Sequence, residues 1–140
     1  WGVTDGLAEN CILSANLAYG SSIGHRDTDN RLIGCTLENN CEFGLLFREP
    51  LSEFRGAHRN VIENCLFRDN GRNGAGVAIE FRGAAHDVAL RNNRFEDSGQ
   101  AIQKIGVRLS AEAEGVQFAG NVFVHMGEEI VHKNPQAQTA

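Results

Sequence analysis

The fold is decided by two stretches that align without gaps, Asn60-Val-Ile-Glu-Asn-Cys-Leu-Phe67 and Val88-Ala-Leu-Arg-Asn-Asn-Arg-Phe95. Two more copies, at residues 30–37 and 116–123, extend the series at nearly the same spacing. The alignment gives one apolar column, a mixed column and a second apolar column: Leu32, Ile62, Leu90 and Phe118; Cys35, Cys65, Asn93 and Asn121; Leu37, Phe67, Phe95 and Phe123. A weaker first copy, at a slightly shorter spacing, places Leu7, Asn10 and Ile12 at the start of these columns. The chain is therefore an internal repeat.

Each copy is followed by a second short segment with its own pattern, which reads aliphatic, any, bulky, basic. The five examples are Ile23-Gly-His-Arg26, Leu45-Leu-Phe-Arg48, Ile79-Glu-Phe-Arg82, Ile105-Gly-Val-Arg108 and Ile130-Val-His-Lys133. In the second copy, Phe54-Arg55 is an alternative occupant of the same slot, but Gly44 precedes 45–48 as Gly20 and Gly76 precede their segments. Alternation with a period of two indicates strands with the apolar members on one face.

Stacked periods of this kind share one continuous core, because a single period cannot bury its own apolar face. We predict an all-β fold over residues 1–133, a right-handed parallel β-helix of about five coils with three short strands per coil. Residues 134–140 are expected to be a polar tail. A leucine-rich repeat is the rival, since Leu90, Asn93 and Phe95 fit its strand motif. It is less favoured because Gly71, Gly74 and Gly76 stand where that repeat would place a helix.

The Asn-x-Phe turns, the Asn-Cys-x-Phe segment at 64–67 and the strand Gly76-Val-Ala-Ile-Glu-Phe81 resemble repeats of the pectate-lyase-like superfamily of right-handed β-helices. The stretch Gly24-His-Arg-Asp-Thr-Asp-Asn30 also resembles uncharacterised bacterial β-helix proteins. It is faintly similar to the Asp-Pro-His-Asp region of alginate C5-epimerases, although the first Asp and the Pro are missing here. The resemblance implies the fold and, more weakly, action on a polysaccharide.

Composition excludes several classes of protein. The 140 residues are 41% hydrophobic and 22% charged, which is typical of a folded domain. The net charge of −5 argues against a general nucleic-acid binder. No apolar run approaches the roughly 20 residues that a membrane span needs. Because the chain opens with Trp1 and shows no leader, we expect a piece of a longer extracellular or periplasmic protein.

The basic members of the second segment predict a charged column on the outer face: Arg26, Arg48, Arg82, Arg108 and Lys133. Like charges on neighbouring strands destabilise a sheet, so something must offset their repulsion. One candidate is the set of adjacent acids, Asp27, Glu49 and Glu80. The other is an anionic polymer along the solenoid, such as a uronate-bearing polysaccharide, which the planar guanidinium of Arg binds at two points.

Candidate catalytic residues cluster at the end of the first of these segments. Cleavage of a uronate by β-elimination needs a neutralised carboxylate and a base, and Arg26 with Arg48 and His25 could supply them. In that scheme Arg48, Arg82, Arg108 and Lys133 bind substrate. His25 also fits the inward column with Phe47, Phe81 and Val107, in which case it belongs to the core. Glu80 paired with Glu49 is the alternative, a hydrolytic carboxylate pair or simple charge balance for the arginines.

Other residues have structural and chemical alternatives. Asp27 and Asp29 lie in a turn whose side chains either bond their own backbone or hold Ca²⁺, the one cofactor we consider. Cys35 and Cys65 should stack one coil apart, as buried thiols or as a disulfide, with Cys11 and Cys41 outside their column. His58 and His86 recur at corresponding loop positions and are expected to cap turns, while Glu112 and Glu114 look like solvated loop charges.

The sequence therefore predicts recognition or processing of an acidic polysaccharide, by a lyase or epimerase acting on a uronate-containing glycan. A non-catalytic carbohydrate-binding or assembly module is the alternative from another class. Self-association through the open ends of the solenoid is a third hypothesis, since unpaired sheet edges invite pairing.

Overall fold

The structure is a computed structural model that describes residues 2–52 and 55–133. Its strands are short, because a corner of two or more residues follows each one. The strands are β1 (Leu7–Glu9), β2 (Ile12–Ser14), β3 (Tyr19–Ile23), β4 (Arg31–Ile33), β5 (Thr36–Glu38), β6 (Phe43–Phe47), β7 (Val61–Glu63), β8 (Leu66–Arg68), β9 (Val77–Phe81), β10 (Ala89–Arg91), β11 (Arg94–Glu96), β12 (Ile105–Leu109), β13 (Gln117–Ala119), β14 (Val122–Val124) and β15 (Glu128–His132).

The strands form three parallel five-stranded sheets. Sheet A has the order β1-β4-β7-β10-β13, sheet B has β2-β5-β8-β11-β14, and sheet C has β3-β6-β9-β12-β15. Every third strand enters the same sheet, so the chain winds as a β-solenoid with three strands per coil, as the repeat predicted. The chain passes through each sheet five times, which amounts to four full turns between the first and last passes. The strands of sheet C have five residues and those of sheets A and B have three.

The predicted apolar columns form the core. Leu90 lies between Ile62 and Phe118 in sheet A. In sheet B, Phe67, Phe95 and Phe123 stack with ring centroids 5.0 and 4.8 Å apart and nearly parallel planes. Phe67 and Phe95 are completely buried. Near-parallel stacking at this spacing adds to the energy of burial, so the ring column holds successive coils in register.

The register of the first coil is shifted by a single position from the prediction. Leu32 and Leu37 pair with Ala8 and Leu13, whereas the repeat alignment had placed Leu7 and Ile12 there. Leu7 and Ile12 therefore point outward and are 53% and 73% exposed. A slip of this kind in a strand moves each side chain to the opposite face.

The corner between β1 and β2 sets this register, because it needs a positive φ. Asn10 (φ 54°) supplies this where the next coil has Gly34 (φ 65°).

The same register corrects the placement of Cys11. It aligns with Cys35 once Leu13 is paired with Leu37, so Cys11, Cys35 and Cys65 form one column. Each Sγ donates to the carbonyl oxygen of the residue two positions earlier. The four cysteines are free thiols, with Cys35 and Cys65 buried and Cys11 exposed on the first coil. Burial raises the pKa of the Cys65 thiol to about 11.

Polar ladders fill the remaining corners. The Asn93 amide nitrogen donates to the Ile62 carbonyl while its own backbone N–H donates to Asn121 Oδ1. A second ladder runs through Asn40, Asn70 and Gln103, all fully or almost fully buried. Each amide thus satisfies the backbone of one coil and the side chain of another, which removes the cost of burying unpaired polar groups. Within the described residues no helix has the length and apolarity that a membrane crossing requires.

Candidate functional site

Three of the five predicted basic residues share one position on sheet C. Arg48, Arg82 and Lys133 each follow the last residue of a sheet C strand. Their backbone N–H groups donate to the last strand residue of the preceding coil, at Ile23, Phe47 and Leu109 respectively. We call these three residues the cationic row. Adjacent coils in such a sheet lie ~4.8 Å apart, so Arg48 and Arg82 are immediate neighbours and Lys133 lies two coils beyond Arg82.

Arg26 and Arg108 do not belong to this row, contrary to the prediction. The pairing of Ile23 with Phe47 places Gly24, and not Arg26, beside Arg48. Arg108 pairs with Glu80, two residues before the position of Arg82. The prediction misplaced both residues because it aligned the segments on their basic residue. In the sheet, the guanidinium of Arg108 instead lies beside the carboxylate of Glu80, which avoids contact between like charges.

Glu80 is the centre of the charged cluster. Its Oε1 accepts a hydrogen bond from Arg108 Nε at 2.6 Å, and its Oε2 accepts one from Arg108 Nη2 at 2.7 Å. The Glu80 side chain is 2% exposed and that of Arg108 is 21% exposed. The hydrogen bonds to Glu80 raise the pKa of the Arg108 guanidinium. This is a two-point guanidinium–carboxylate pair, the strongest geometry available to these groups.

Arg82 is held more loosely by the same carboxylate. Its Nε lies 3.9 Å from Glu80 Oε2, and its side chain is 49% exposed. The Arg82 guanidinium carbon lies 5.2 Å from the centroid of the Phe43 ring, a cation–π contact. Two guanidinium groups therefore share one carboxylate, and this trio carries a net positive charge on its exposed side, at Arg82.

A small apolar cluster on the outer face of sheet C supports these charges. Phe43, Leu46 and Val77 are buried there, with Tyr19 and Ile105 packed against them. Phe43 and Tyr19 stack with ring centroids 6.4 Å apart. Leu46 of this cluster lies beside Glu80 on the neighbouring strand, and the Glu80 side chain is 2% exposed, so the carboxylate has little water around it and depends on Arg108 for its stabilisation.

Arg48 is neutralised locally. Its Nη1 donates to Ser22 Oγ at 2.6 Å, and its Nη2 lies 3.5 Å from Asp27 Oδ2. Of the acids that were expected to balance the arginines, Asp27 and Glu80 thus contact members of the cationic row.

The two aspartates predicted as calcium ligands are engaged with other groups. Asp27 accepts hydrogen bonds from the backbone N–H groups of Val3 and Gly24, in addition to its contact with Arg48. Asp29 forms a two-point pair with Arg59 at 2.9 and 3.1 Å, and these hydrogen bonds lower the pKa of Asp29. Across residues 2–52 and 55–133, no group of three or more His, Cys, Asp or Glu side chains is arranged to hold a metal ion.

The three proposed catalytic residues do not converge. His25 and Arg26 lie in the corner after β3 and both have positive φ values, 48° and 74°. His25 is outside the inward column, because Ile23 is the residue that pairs with Phe47. Glu80 lies on β9, two coils away, with both oxygens engaged by Arg108. His25 and Arg26 instead line a cavity of about 270 Å³ with Gly2 and Arg55.

The sequence did not reveal a groove beside the cationic row. A cavity of about 470 Å³ is lined by residues that include Glu49, His86, Glu112 and Glu114. A second cavity, of about 360 Å³, shares Glu49 and Glu112 and adds Arg82, Ser110 and Lys133.

The only sequence feature that points to this groove is the spacing of the repeat. His86 and Glu114 are separated by the same interval as Val88 and Val116 of the aligned copies, and they form an isolated parallel bridge. Glu112 and Glu114 were predicted only as solvated loop charges, and the structure adds that both line this groove.

His86 is also part of a ring stack. The His58 and His86 rings lie 4.6 Å apart, and the His86 backbone N–H donates to His58 Nδ1 at 2.9 Å. The His58 ring therefore helps hold the turn of the next coil, in line with the predicted capping role.

No family model, curated protein or solved structure matches this chain. What the structure establishes is the class of fold, an all-β parallel solenoid with three sheets.

Proposed function

We propose that this protein binds an acidic polysaccharide along the outer face of sheet C, through Arg82 and Lys133 of the cationic row, whereas Arg48 is already paired with Asp27. The observation that carries the proposal is the shared carboxylate of Glu80. Arg108 binds both oxygens of this carboxylate. Within the group of Glu80, Arg108 and Arg82, the positive charge of the half-exposed Arg82 is therefore not balanced. A carboxylate or sulfate of a glycan would complete the pairing.

The neighbouring groove supports a polymeric ligand. The cavity lined by Arg82 and Lys133 shares the lining residues Glu49 and Glu112 with the larger cavity at His86. A chain that contacts the row would therefore have room to continue past Glu49 and Glu112, with uncharged sugar units at that point, because these carboxylates would repel a uronate. On this proposal the protein is a β-helix of the pectate-lyase-like kind that works outside the cytoplasm, where such glycans occur.

The competing function is processing of the same glycan by a lyase or epimerase. The observation that favours it is the placement of an imidazole, His86, and the carboxylates of Glu49 and Glu112 around one groove beside two cations. An imidazole can remove a proton from a sugar carbon while a cation neutralises the uronate carboxylate. Binding takes precedence because Glu80 is committed to Arg108, and His25 lies in a different corner.

Retention on an immobilised alginate or pectate column tests the binding proposal. Arg82→Gln should elute at lower salt than the parent protein, and Arg82→Gln/Lys133→Gln at lower salt still, because each removes one cation from the row. Arg59→Gln is the matched control, since it removes an exposed guanidinium that Asp29 already pairs. Equal elution of all the variants would eliminate the proposal. Ultraviolet absorbance from unsaturated uronates, monitored with the same glycans, would reveal a lyase and would be absent for a binding module.

Self-association is a separate proposal with its own observation. Within residues 2–52 and 55–133, strands β1, β2 and β3 each have a neighbouring strand on one side only, and so have β13, β14 and β15. At the first coil Ile12 and Leu17 are 73% and 89% exposed. Unpaired edges with apolar neighbours favour end-to-end pairing of two copies. Light scattering should then show a mass that rises with concentration, and a constant monomer mass would exclude it.

A further inference from the structure

A cavity at the corner after β3 has an unusual lining. Its volume is about 270 Å³, and it is formed by Gly2, His25, Arg26 and Arg55. Among the described residues, every one that contributes a side chain to the lining is basic, and none is a carboxylate. Basic groups that face a common space repel one another, so an anion in that space would stabilise the arrangement.

The backbone holds these groups together from three segments. The Arg26 N–H donates to the Arg55 carbonyl at 2.7 Å, and the Gly2 N–H donates to the His25 carbonyl at 3.2 Å. His25 and Arg26 are consecutive residues with positive φ, a conformation that non-glycine residues rarely adopt twice in succession. Backbone strain of this kind is often concentrated at binding sites.

Asp27, the acid that follows Arg26 in the sequence, is committed elsewhere. Asp27 accepts hydrogen bonds from Val3 and Gly24 at 3.0 and 2.9 Å and lies 3.5 Å from Arg48. Its carboxylate therefore balances Arg48 and caps the corner, and does not balance Arg26 or Arg55.

We propose that this cavity binds a tetrahedral oxyanion, a sulfate or phosphate group. Two guanidinium groups and an imidazole, carried by two different segments, suit an anion with oxygens in several directions better than a planar carboxylate, which one guanidinium satisfies by itself. The volume equals roughly nine waters at ~30 Å³ each, so the anion can be the ester group of a larger molecule as well as the free ion. The site does not depend on the cationic row or on polysaccharide binding.

Calorimetric titration at low ionic strength, with inorganic phosphate, inorganic sulfate and a sugar phosphate as probes, tests the site. The parent protein should bind at least one probe, and Arg55→Gln or Arg26→Gln should weaken that binding roughly tenfold or more, as expected for loss of a charge-assisted hydrogen bond. Tighter binding of the sugar phosphate would assign the site to esters, and tighter binding of the inorganic ions would assign it to the free anion. Absence of binding by all three probes would overturn the proposal.

Two controls separate this site from general charge effects and from the proposed function. Arg59→Gln removes the same charge from an exposed, paired position and should leave affinity unchanged; equal weakening in this variant would show non-specific attraction and refute the site. Arg82→Gln should lose polysaccharide retention but keep oxyanion binding, whereas Arg55→Gln should do the reverse. Circular dichroism and melting temperature confirm that each variant is folded, and Arg26→Lys, which keeps the charge but loses the planar fork, should bind with intermediate affinity.

Discussion

Glu80→Gln should be the most damaging single charge change on the outer face of sheet C. The substitution keeps the shape of the side chain but removes the charge that pairs Arg108 at 2.6 and 2.7 Å. Loss of one partner from a buried ion pair costs ~3–5 kcal/mol. The Arg108 side chain is 21% exposed, so water recovers part of this energy. We therefore expect a loss of about 2–3 kcal/mol in the free energy of unfolding.

Urea denaturation followed by circular dichroism measures this loss, provided that the slope of the transition is unchanged. Asp29→Asn is a closely matched control, because it also converts an acid to its amide opposite a two-point arginine, but in a pair whose side chains are 57% and 40% exposed. Exposed pairs contribute less than about 1 kcal/mol. The double variant Glu80→Gln/Arg108→Gln should lose less than the sum of its single variants. If Glu80→Gln cost no more than Asp29→Asn, the reasoning about burial would be refuted.

Three further predictions concern the core and the corners. Burial of Asp97 acts to raise its pKa, but hydrogen bonds from the backbone N–H groups of Gly99, Ala101, Ile102 and Gln103 outweigh this effect and lower the pKa. The ionised Asp97 should therefore stabilise the fold at neutral pH, and this stabilisation should be lost as the pH falls from ~5 through the lowered pKa. Acid-unfolding curves of Asp97→Asn should lack this loss. Cys65, with a pKa of about 11, should resist alkylation in the folded protein, whereas the exposed Cys11 should react. Brief iodoacetamide treatment followed by mass spectrometry of fragments measures the order of labelling, and labelling of Cys65 before Cys11 would contradict the prediction. Phe95→Ala should cost ~3–5 kcal/mol of unfolding free energy in urea, against less than about 0.5 kcal/mol for the exposed Ile12→Ala, and equal costs would contradict the ring column.

The sequence predicted the coils well where large inward side chains recur at a fixed spacing. Ile62, Leu90, Phe67 and Phe95 have no alternative partner of comparable size, so their recurrence specifies the register of the sheet. Prediction failed at Leu7, where the aliphatic residue was taken as the inward one although Ala8 fills that place. At the first coil the interior has a neighbour on one side only, so a small inward side chain costs less there, and the corner at Asn10 sets the register instead.

The candidate site was less predictable than the fold, for a physical reason. The pattern aliphatic-x-bulky-basic describes alternation within one strand, but it says nothing of which residue lies beside it on the next coil. Arg108 fits the pattern at the position of Arg82 and also fits beside Glu80, and the sheet adopts the second register, in which the charge pair forms. A groove such as that at Glu49, His86 and Glu112 depends on the paths of two loops, which no periodic signal specifies.

The arrangement of charge on sheet C limits what this face can do chemically. A general acid or base must exchange a proton during the reaction, and protonation of Glu80 would leave Arg108 without its counter-charge in a nearly dry site. Glu80 therefore acts as a fixed anchor for two guanidinium groups. The group left with chemical freedom is Arg82, whose side chain is half exposed, remains charged throughout the physiological pH range and has no proton to offer. Such a group can bind and orient an anion but cannot supply the proton transfer that cleavage of a glycosidic bond needs, so a reaction on this face would have to draw that transfer from a group other than Arg82, such as one in the groove at His86.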